Sequence, residues 1–313
     1  MAKKLGKRLV QMLVMLFGIT LISYLLLYLS PGDPVRAMFT ASGTIPSEEI
    51  IQAMREEMGL NQPFFIQYGN WLLDCLRGDF GTSISMGAPV ADLLLVRLWP
   101  TLQLAGLSLG MMVALAVPTG ILCALHQNKL VDNILRSGTF VAISMPNFWV
   151  GLLLLYLVAM KLKWLPVMSS SGDFTGMILP ALTLAIAMSG KYARQVRTAI
   201  LEELNRDYIV GARSRGLSNT VILWKHILPN AMLPLVTLLG LSMGSLLGGT
   251  AVVEVIFSYP ALGSLALSAI SSMDYALIQG YVLWVALVYM VVNLIVDISY
   301  SRLDPRLKGG KQP

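Results

Sequence analysis

Histidine and cysteine are scarce in this chain, two of each in 313 residues, and charged side chains make up only 13% of it. Each shortage removes a class of function. His126 and His226 both sit in or beside basic loops, so the H-E-x-x-H pair of an intramembrane zinc protease cannot be built. Cys75 and Cys123 cannot make a disulfide framework, and both read as free structural thiols. The two Gly-Lys pairs, Gly6-Lys7 and Gly190-Lys191, lack the upstream glycine and the following hydroxyl residue of a phosphate-binding loop. No cofactor is expected in this chain, and any ATPase must be elsewhere. The charged fraction also falls far below the roughly 25% of a soluble domain.

What is plentiful is apolar: 56% of residues are hydrophobic and mean hydropathy is +0.69. Runs of about 20 such residues are long enough to cross a hydrocarbon core of about 30 Å. A lone helix satisfies its own backbone in lipid, and the ten-residue alternation of a membrane barrel is missing, so the spans are predicted to be helices. Six are read, at Leu9–Leu29, Thr101–Leu125, Ser137–Met160, Met177–Ser189, Leu233–Ile256 and Gln279–Tyr300. The short fourth is continued by "GKYARQVRTAI" as one helix that leaves the membrane. The first has the basic start of a signal peptide, but its apolar run is too long and no small-residue cleavage site follows, so it reads as a retained helix.

Lysine and arginine set the orientation, because basic flanks stay cytoplasmic. With both termini inside, seventeen of the 23 basic residues fall on the cytoplasmic side. The net charge of +6 therefore reflects topology, and nucleic acid is not an expected partner. Residues 30–98 form an external insertion with eight carboxylates against four arginines. Within it, "IPSEEIIQAMREEMGL" predicts a surface helix from a Ser47 N-cap to Met58, with Ile50, Ile51, Met54 and Met58 along one side and Gly59 as a stop.

The stretch "GARSRGLSNTVILWKHILPNAMLP" interrupts the apolar runs with Arg213, Arg215, Lys225 and His226. Leu204, Tyr208, Ile209 and Ala212 fall near helical spacing, while Asn205, Arg206, Arg213 and Arg215 face away. Gly216 can take the left-handed conformation that ends a helix. Leu217 and Ile222 then bracket Ser218 as a hydrophobic staple brackets an N-cap, so a second helix is predicted to run until Pro229 and Pro234 disturb it. A helix, a glycine corner and another helix make a knob that a soluble partner can receive. The plainer reading is a loop whose arginines only enforce topology.

Ionisable groups at membrane depth are functional candidates. Glu254, in "VVEVIF" just before the turn "SYPALG", is one such candidate, and Asp297 reads as the partner of a basic residue. The glycines of "GSLLGGT", among them Gly248 and Gly249, can line a pore or let helices approach closely.

Several of these segments resemble a family. Val210-Gly211-Ala212, three residues, Gly216, nine residues, His226, then Leu228-Pro229 is similar to the cytoplasmic "EAA" loop of ABC importer permeases, with Val210 in place of the Glu and His226 in place of an Ile. "SPGDP", "LNQPFFIQYGNWL", "GDFGTS", "SMPNFWVG", "VVEVIFSYPALG" and "LDPR" follow in the order of the dipeptide, oligopeptide and nickel subfamily. In the Pro260 turn, Ala261 stands where that subfamily has Gly, which leaves Gly263 to supply the special backbone angles.

The resemblance implies an all-α integral membrane protein of about six transmembrane helices with the type I ABC importer fold, in the bacterial cytoplasmic (inner) membrane. Residues 1–98 would be the N-terminal helix plus insertion, 99–304 the core with coupling loop 202–232, and 305–313 a cytoplasmic tail. It implies half of a pore completed by a second homologous permease, with two ABC ATPase subunits and an extracytoplasmic solute-binding protein as partners beside membrane lipid. Tyr208, Gly211, Ala212, Arg213, Arg215, Gly216, Leu217, Leu228 and Pro229 would couple to an ATPase. Gly248, Gly249, Glu254 and Pro260 would belong to the pore or gate. The acidic insertion would help to receive the loaded binding protein. The cargo is read as nickel, hydrated or chelated, or else small peptides. A secondary transporter or channel working without an ATPase is the alternative, and it would need inverted repeats with broken helices, which the sequence does not show.

Overall fold

The computed structural model describes residues 2–31, 33–41, 46–168 and 173–303. Among them the regular elements are helices, with one isolated β-bridge between Thr82 and Pro89. In chain order they are α1 (Ala2–Tyr28), α2 (Pro34–Ala41), α3 (Glu48–Glu57), α4 (Phe64–Leu76), α5 (Val90–Leu125), α6 (Leu130–Ser144) and α7 (Asn147–Leu154), the last continued by a π-helical stretch (Leu155–Lys161). Then come α8 (Phe174–Leu204), α9 (Asp207–Ser214), α10 (Asn219–Val221), a second π-helical stretch (Ile222–Ile227), α11 (Leu228–Gly249), α12 (Ala251–Ile256), α13 (Leu262–Ser271) and α14 (Tyr275–Leu303).

Among the described residues four helices are long and apolar enough to cross a membrane, within Val10–Tyr28, Val90–Leu125, Phe174–Leu204 and Tyr275–Ile295. The straight span predicted over Ser137–Met160 is corrected: α6 and the helix after it meet at 104°. Pro146 explains the break, because proline forces the residue before it out of helical geometry, and Met145 is extended with ψ 132°. The fourth span behaves as predicted, with α8 running unbroken through "GKYARQVRTAI". The stretch predicted as a fifth span is shared between α11 and α12, which part at Thr250. In the insertion, α3 ends at Met58 with Gly59 at φ +68°, but Ser47 makes no side-chain cap bond and Ile51 alone of the predicted apolar face is fully buried. The tail 305–313 lies outside the described residues.

The chain divides into two compact units, one of residues 1–101 and 260–290, the other of 102–259 and 291–313. In the first, α4 lays an aromatic face on α1: Tyr24 meets Phe64, Tyr68 and Trp71 with ring centroids 5.5–5.8 Å apart. Tyr68 also shares a 3.0 Å hydroxyl bond with Thr20. A second cluster joins Val90 and Leu94 to Leu262, Leu265, Ala269 and Leu277. In the second unit α8 is the central element. Gly190 lets α6 approach so closely that an added Cβ would stand 2.6 Å from the Thr139 carbonyl.

Candidate coupling corner and gate

The basic loop folds as the predicted helix, corner and helix. α9 buries Ile209 and Ala212 against a cluster that includes Val196 and Ile200 of α8 and Ile222, Leu223 and Ile227 beyond the corner. Each fully buried aliphatic side chain contributes on the order of 1.5–3 kcal/mol, so the apolar stripe alone fixes which way α9 faces. Gly216 has φ +79°, its N–H donates to the Arg213 carbonyl at 2.9 Å, and the Leu217 N–H donates to that of Ala212 at 3.3 Å. These two bonds satisfy carbonyls that the end of a helix leaves open, with the left-handed residue at the position glycine favours. Leu217 packs on the same cluster as Ile222, and the Ser218 hydroxyl accepts from the Val221 N–H at 3.4 Å, so both staple and cap form.

Pro229 does not end the second helix as predicted. The backbone widens to the π-helical form over Ile222–Ile227 and returns to α at Leu228, with Pro229 in the first turn of α11. A proline inside an α-helix lacks an N–H and clashes with the carbonyl four residues earlier. The wider turn before Pro229 moves that carbonyl away, and α11 continues past Pro234 to Gly249.

Opposite the buried stripe lies an outer face of Val210, Gly211, Arg213, Arg215, Trp224 and Lys225, with Val210 59% and Trp224 58% exposed. Tyr208, predicted to face inward, is 40% exposed. Its hydroxyl donates to Glu203 at the end of α8, and Asn230 of α11 donates to it at 3.4 Å, so the ring ties α9 to both neighbouring helices. Burial first, then the Glu203 carboxylate, pushes the Tyr208 hydroxyl up to about 12. Leu228 is partly buried on the cluster, while Pro229 is exposed.

The gate candidates fare differently. Glu254 is fully buried in α12 and accepts a 2.5 Å hydrogen bond from the Thr250 hydroxyl one turn earlier. Gly248 and Gly249 close α11, and their surroundings, like those of Asp297, lie outside the described residues. Pro260 occupies the partly buried turn between α12 and α13. In that turn the left-handed residue is Ser258, at φ +52°, with its N–H on Val255 and the Tyr259 N–H on Glu254 at 2.7 Å. Gly263 sits inside α13, which corrects the role predicted for it. Ala261 is extended at φ −121°, a conformation that does not require glycine.

Comparison with known proteins agrees with this architecture. The model of the binding-protein-dependent transport system inner membrane component matches residues 116–309, and that of its N-terminal region matches residues 1–105. The chain belongs to this permease family. A probable peptide ABC transporter permease of Sinorhizobium fredii is 35% identical over 96% of this chain and 98% of its own length. The glutathione transport system permease of Escherichia coli is 35% identical over 96% of this chain and 97% of its own. A probable D,D-dipeptide transport system permease of Escherichia coli is 34% identical over 94% of each. Among solved structures, an inward-facing MetNI methionine ABC transporter shares the fold, with TM-score 0.57 and 19% identity over 68% of this chain and 96% of that one.

As an inner-membrane permease of an ABC importer, the chain is a membrane component that works with ATPase subunits and a binding protein, and the alternative of transport without an ATPase falls away. Two features of this permease had no sequence signal. Arg197 of α8 closes a two-point pair on buried Asp132, at 2.9 and 2.8 Å, and Asp132 also accepts the Asn128 N–H at 3.0 Å. In the first unit, Asp274 draws the "GDFGTS" loop inward, accepting from the Ser83 hydroxyl at 2.6 Å, the Ser85 hydroxyl at 2.8 Å and the Ser85 N–H at 3.0 Å. Partners 65 or about 190 residues apart leave no local pattern to read.

Proposed function

We propose that this permease forms half of a translocation pore for short peptides, paired with a second homologous permease and seated through the α9 corner on one of two ATPase subunits. The observation that carries the coupling role is the division of the corner into a buried apolar stripe, Ile209 and Ala212 of α9 with Ile222, Leu223 and Ile227 beyond it, and exposed residues that include Val210 and Arg213 of α9, Arg215 at its end and Trp224. Apolar centres with arginine at their edge are the composition of a protein interface. ATP-driven closure of the ATPases would then move α9, and with it α8, as one body through their shared cluster. Nucleotide shifts the balance of inward and outward states only through such differential contacts. The binding protein would deliver cargo to the acidic insertion, where attraction between exposed surfaces chiefly raises the association rate.

Peptide cargo rests on relatives named for peptide, glutathione and dipeptide transport. The sequence leaning toward nickel has no counterpart in those names. Among the described residues no group of three or more His, Cys, Asp and Glu could hold a metal, so nickel would have to cross hydrated or chelated. No cofactor is assigned to the chain in this reading, and Glu254, tied to Thr250, serves as a packed element of the gate rather than a cargo ligand.

The test is the double change Arg213→Glu, Arg215→Glu in the full importer. Membrane insertion should match wild type, while ATPase co-purification and dipeptide uptake into vesicles fall at least tenfold. Wild-type co-purification with unchanged uptake would overturn the coupling role. Uptake of nickel without uptake of labelled dipeptide would overturn the cargo.

A further inference from the structure

We infer that Tyr208 is a positioning residue for transport: with Glu203 and Asn230, its hydroxyl joins α8, α9 and α11, so that movement of the corner reaches the start of α11 as well as α8. The inference rests on the coupling role proposed for α9.

Apolar burial makes only part of this joint. Ile209 and Ala212 of α9 share a cluster with Val196 and Ile200 of α8 and with Ala231 and Leu235 of α11. That stripe decides which side of α9 turns inward. Hydrophobic attraction is non-directional, so position along the helix axes falls to contacts with a defined geometry.

The polar contacts supply that geometry. A tyrosine hydroxyl has one proton to donate and lone pairs with which to accept. Two acceptors are in reach, the Glu203 carboxylate at the end of α8 and, at 3.4 Å, the His226 carbonyl in the π-helical stretch before α11. An ionised carboxylate is the stronger acceptor, so the proton goes to Glu203, whose side chain is only 17% exposed. The Asn230 amide gives one N–H to the hydroxyl at 3.4 Å and the other to the His226 carbonyl at 2.8 Å. Every donor is then used, and one chain of bonds runs from Glu203 through Tyr208 and Asn230 to His226. None of Glu203, Tyr208 and Asn230 belongs to the outer face of Val210, Arg213, Arg215 and Trp224, so these bonds bear on transmission rather than on docking.

The experiment uses the full importer in nanodiscs and needs no cargo assay. In the proposed assembly the binding protein and the ATPases lie on opposite sides of the membrane, so the factor by which purified binding protein stimulates ATP hydrolysis measures transmission through the permeases. Tyr208→Phe keeps the ring and removes only the hydroxyl, whereas Asn230→Leu removes both donated bonds. Each should cut the stimulation factor at least fivefold, and the double variant should fall no further, because groups that act as one unit are not additive. A merely structural role would lower hydrolysis with and without binding protein alike and leave the factor unchanged, and that result overturns the inference. A wild-type factor in Tyr208→Phe overturns it too, whatever becomes of Asn230→Leu. So does a double variant that combines the two single losses, since the bonds would then act separately. Failure of the coupling role itself looks different: the ATPases would co-purify with the Arg213→Glu, Arg215→Glu variant as with wild type.

Discussion

The corner at Gly216 and the turn at Met273–Asp274 end their helices with the same backbone device, yet opposite chemistry holds them. In both, a left-handed residue, Gly216 at φ +79° or Met273 at φ +52°, sends its N–H and that of the next residue back to the last carbonyls of the helix. Glycine takes that conformation without strain, and a side-chain-bearing residue does so at a cost of about 1–2 kcal/mol. Gly216 therefore needs no polar anchor: its corner rests on apolar burial beneath, and its charges point outward. Met273 is followed by Asp274, 1% exposed, whose carboxylate is held by Ser83 and Ser85. Charge at the first site is left exposed, open to the partner proposed above, whereas charge at the second holds the fold.

The strongest way to break the comparison is Gly216→Pro. Proline fixes φ near −65° and removes the N–H that reaches Arg213, so the corner should lose about 3 kcal/mol or more. The chain should still insert, while uptake and ATPase co-purification drop to background in membrane vesicles. Retained uptake would mean that the corner's backbone is not what seats the ATPase.

Next in size is the knot that Ser83 and Ser85 tie on the Asp274 carboxylate. Hydrogen bonds to a charged group contribute about 1.5–3 kcal/mol each. Asp274→Ala strands the Ser83 hydroxyl and the Ser85 N–H and hydroxyl together, and should cost about 3 kcal/mol or more. Ser85→Ala removes a single donor and should cost about half as much. Thermal melting of the purified full chain reads both. The comparison is sharpened if the Arg213→Glu, Arg215→Glu variant melts like wild type, and lost if it falls as far as Asp274→Ala.

The same contrast explains what was legible in the sequence. The Gly216 corner could be read because every part of it is local: the left-handed glycine, the staple of Leu217 and Ile222 and the Ser218 cap lie within seven residues. The end of α3 at Gly59 was legible for the same reason. Asp274 was not, because its serines lie about 190 residues away and only folding brings them together. Asp132 and Arg197 escaped in the same way. Two misreadings had local causes. Pro146 carried the signal for the 104° bend, but hydropathy averaged over a span hides a single extended residue at Met145. Pro229 looked like a stop because sequence rules assume an α-helix, whereas the π-helical turn before it makes room for the ring.

The smallest expected effect separates the two sites by pH. Burial, the largest single influence on Asp274, raises its carboxyl, but the bonds from Ser83, Ser85 and the Leu277 N–H together hold it below the ordinary value near 3.9. A carboxyl depressed in the folded state stabilises fully above its unfolded value, and that stability is lost as pH falls through the folded one. The knot should therefore fail on the acid side. Tyr208 is the reverse case, because its hydroxyl is raised from 10.0 to about 12. A group raised by folding stabilises fully below its unfolded value and loses that contribution as pH rises, so the corner should weaken between about 10 and about 12. Tyr208 is 40% exposed, so solvent screening keeps its share small. Melting temperature against pH in detergent should show a shallower acid limb in Asp274→Asn and a shallower alkaline limb in Tyr208→Phe, with each variant leaving the other limb unchanged. If Asp274→Asn follows the wild-type acid limb, ionisation of that carboxylate does not hold the knot, and the distinction between a charge for a partner and a charge for the fold fails at its buried end.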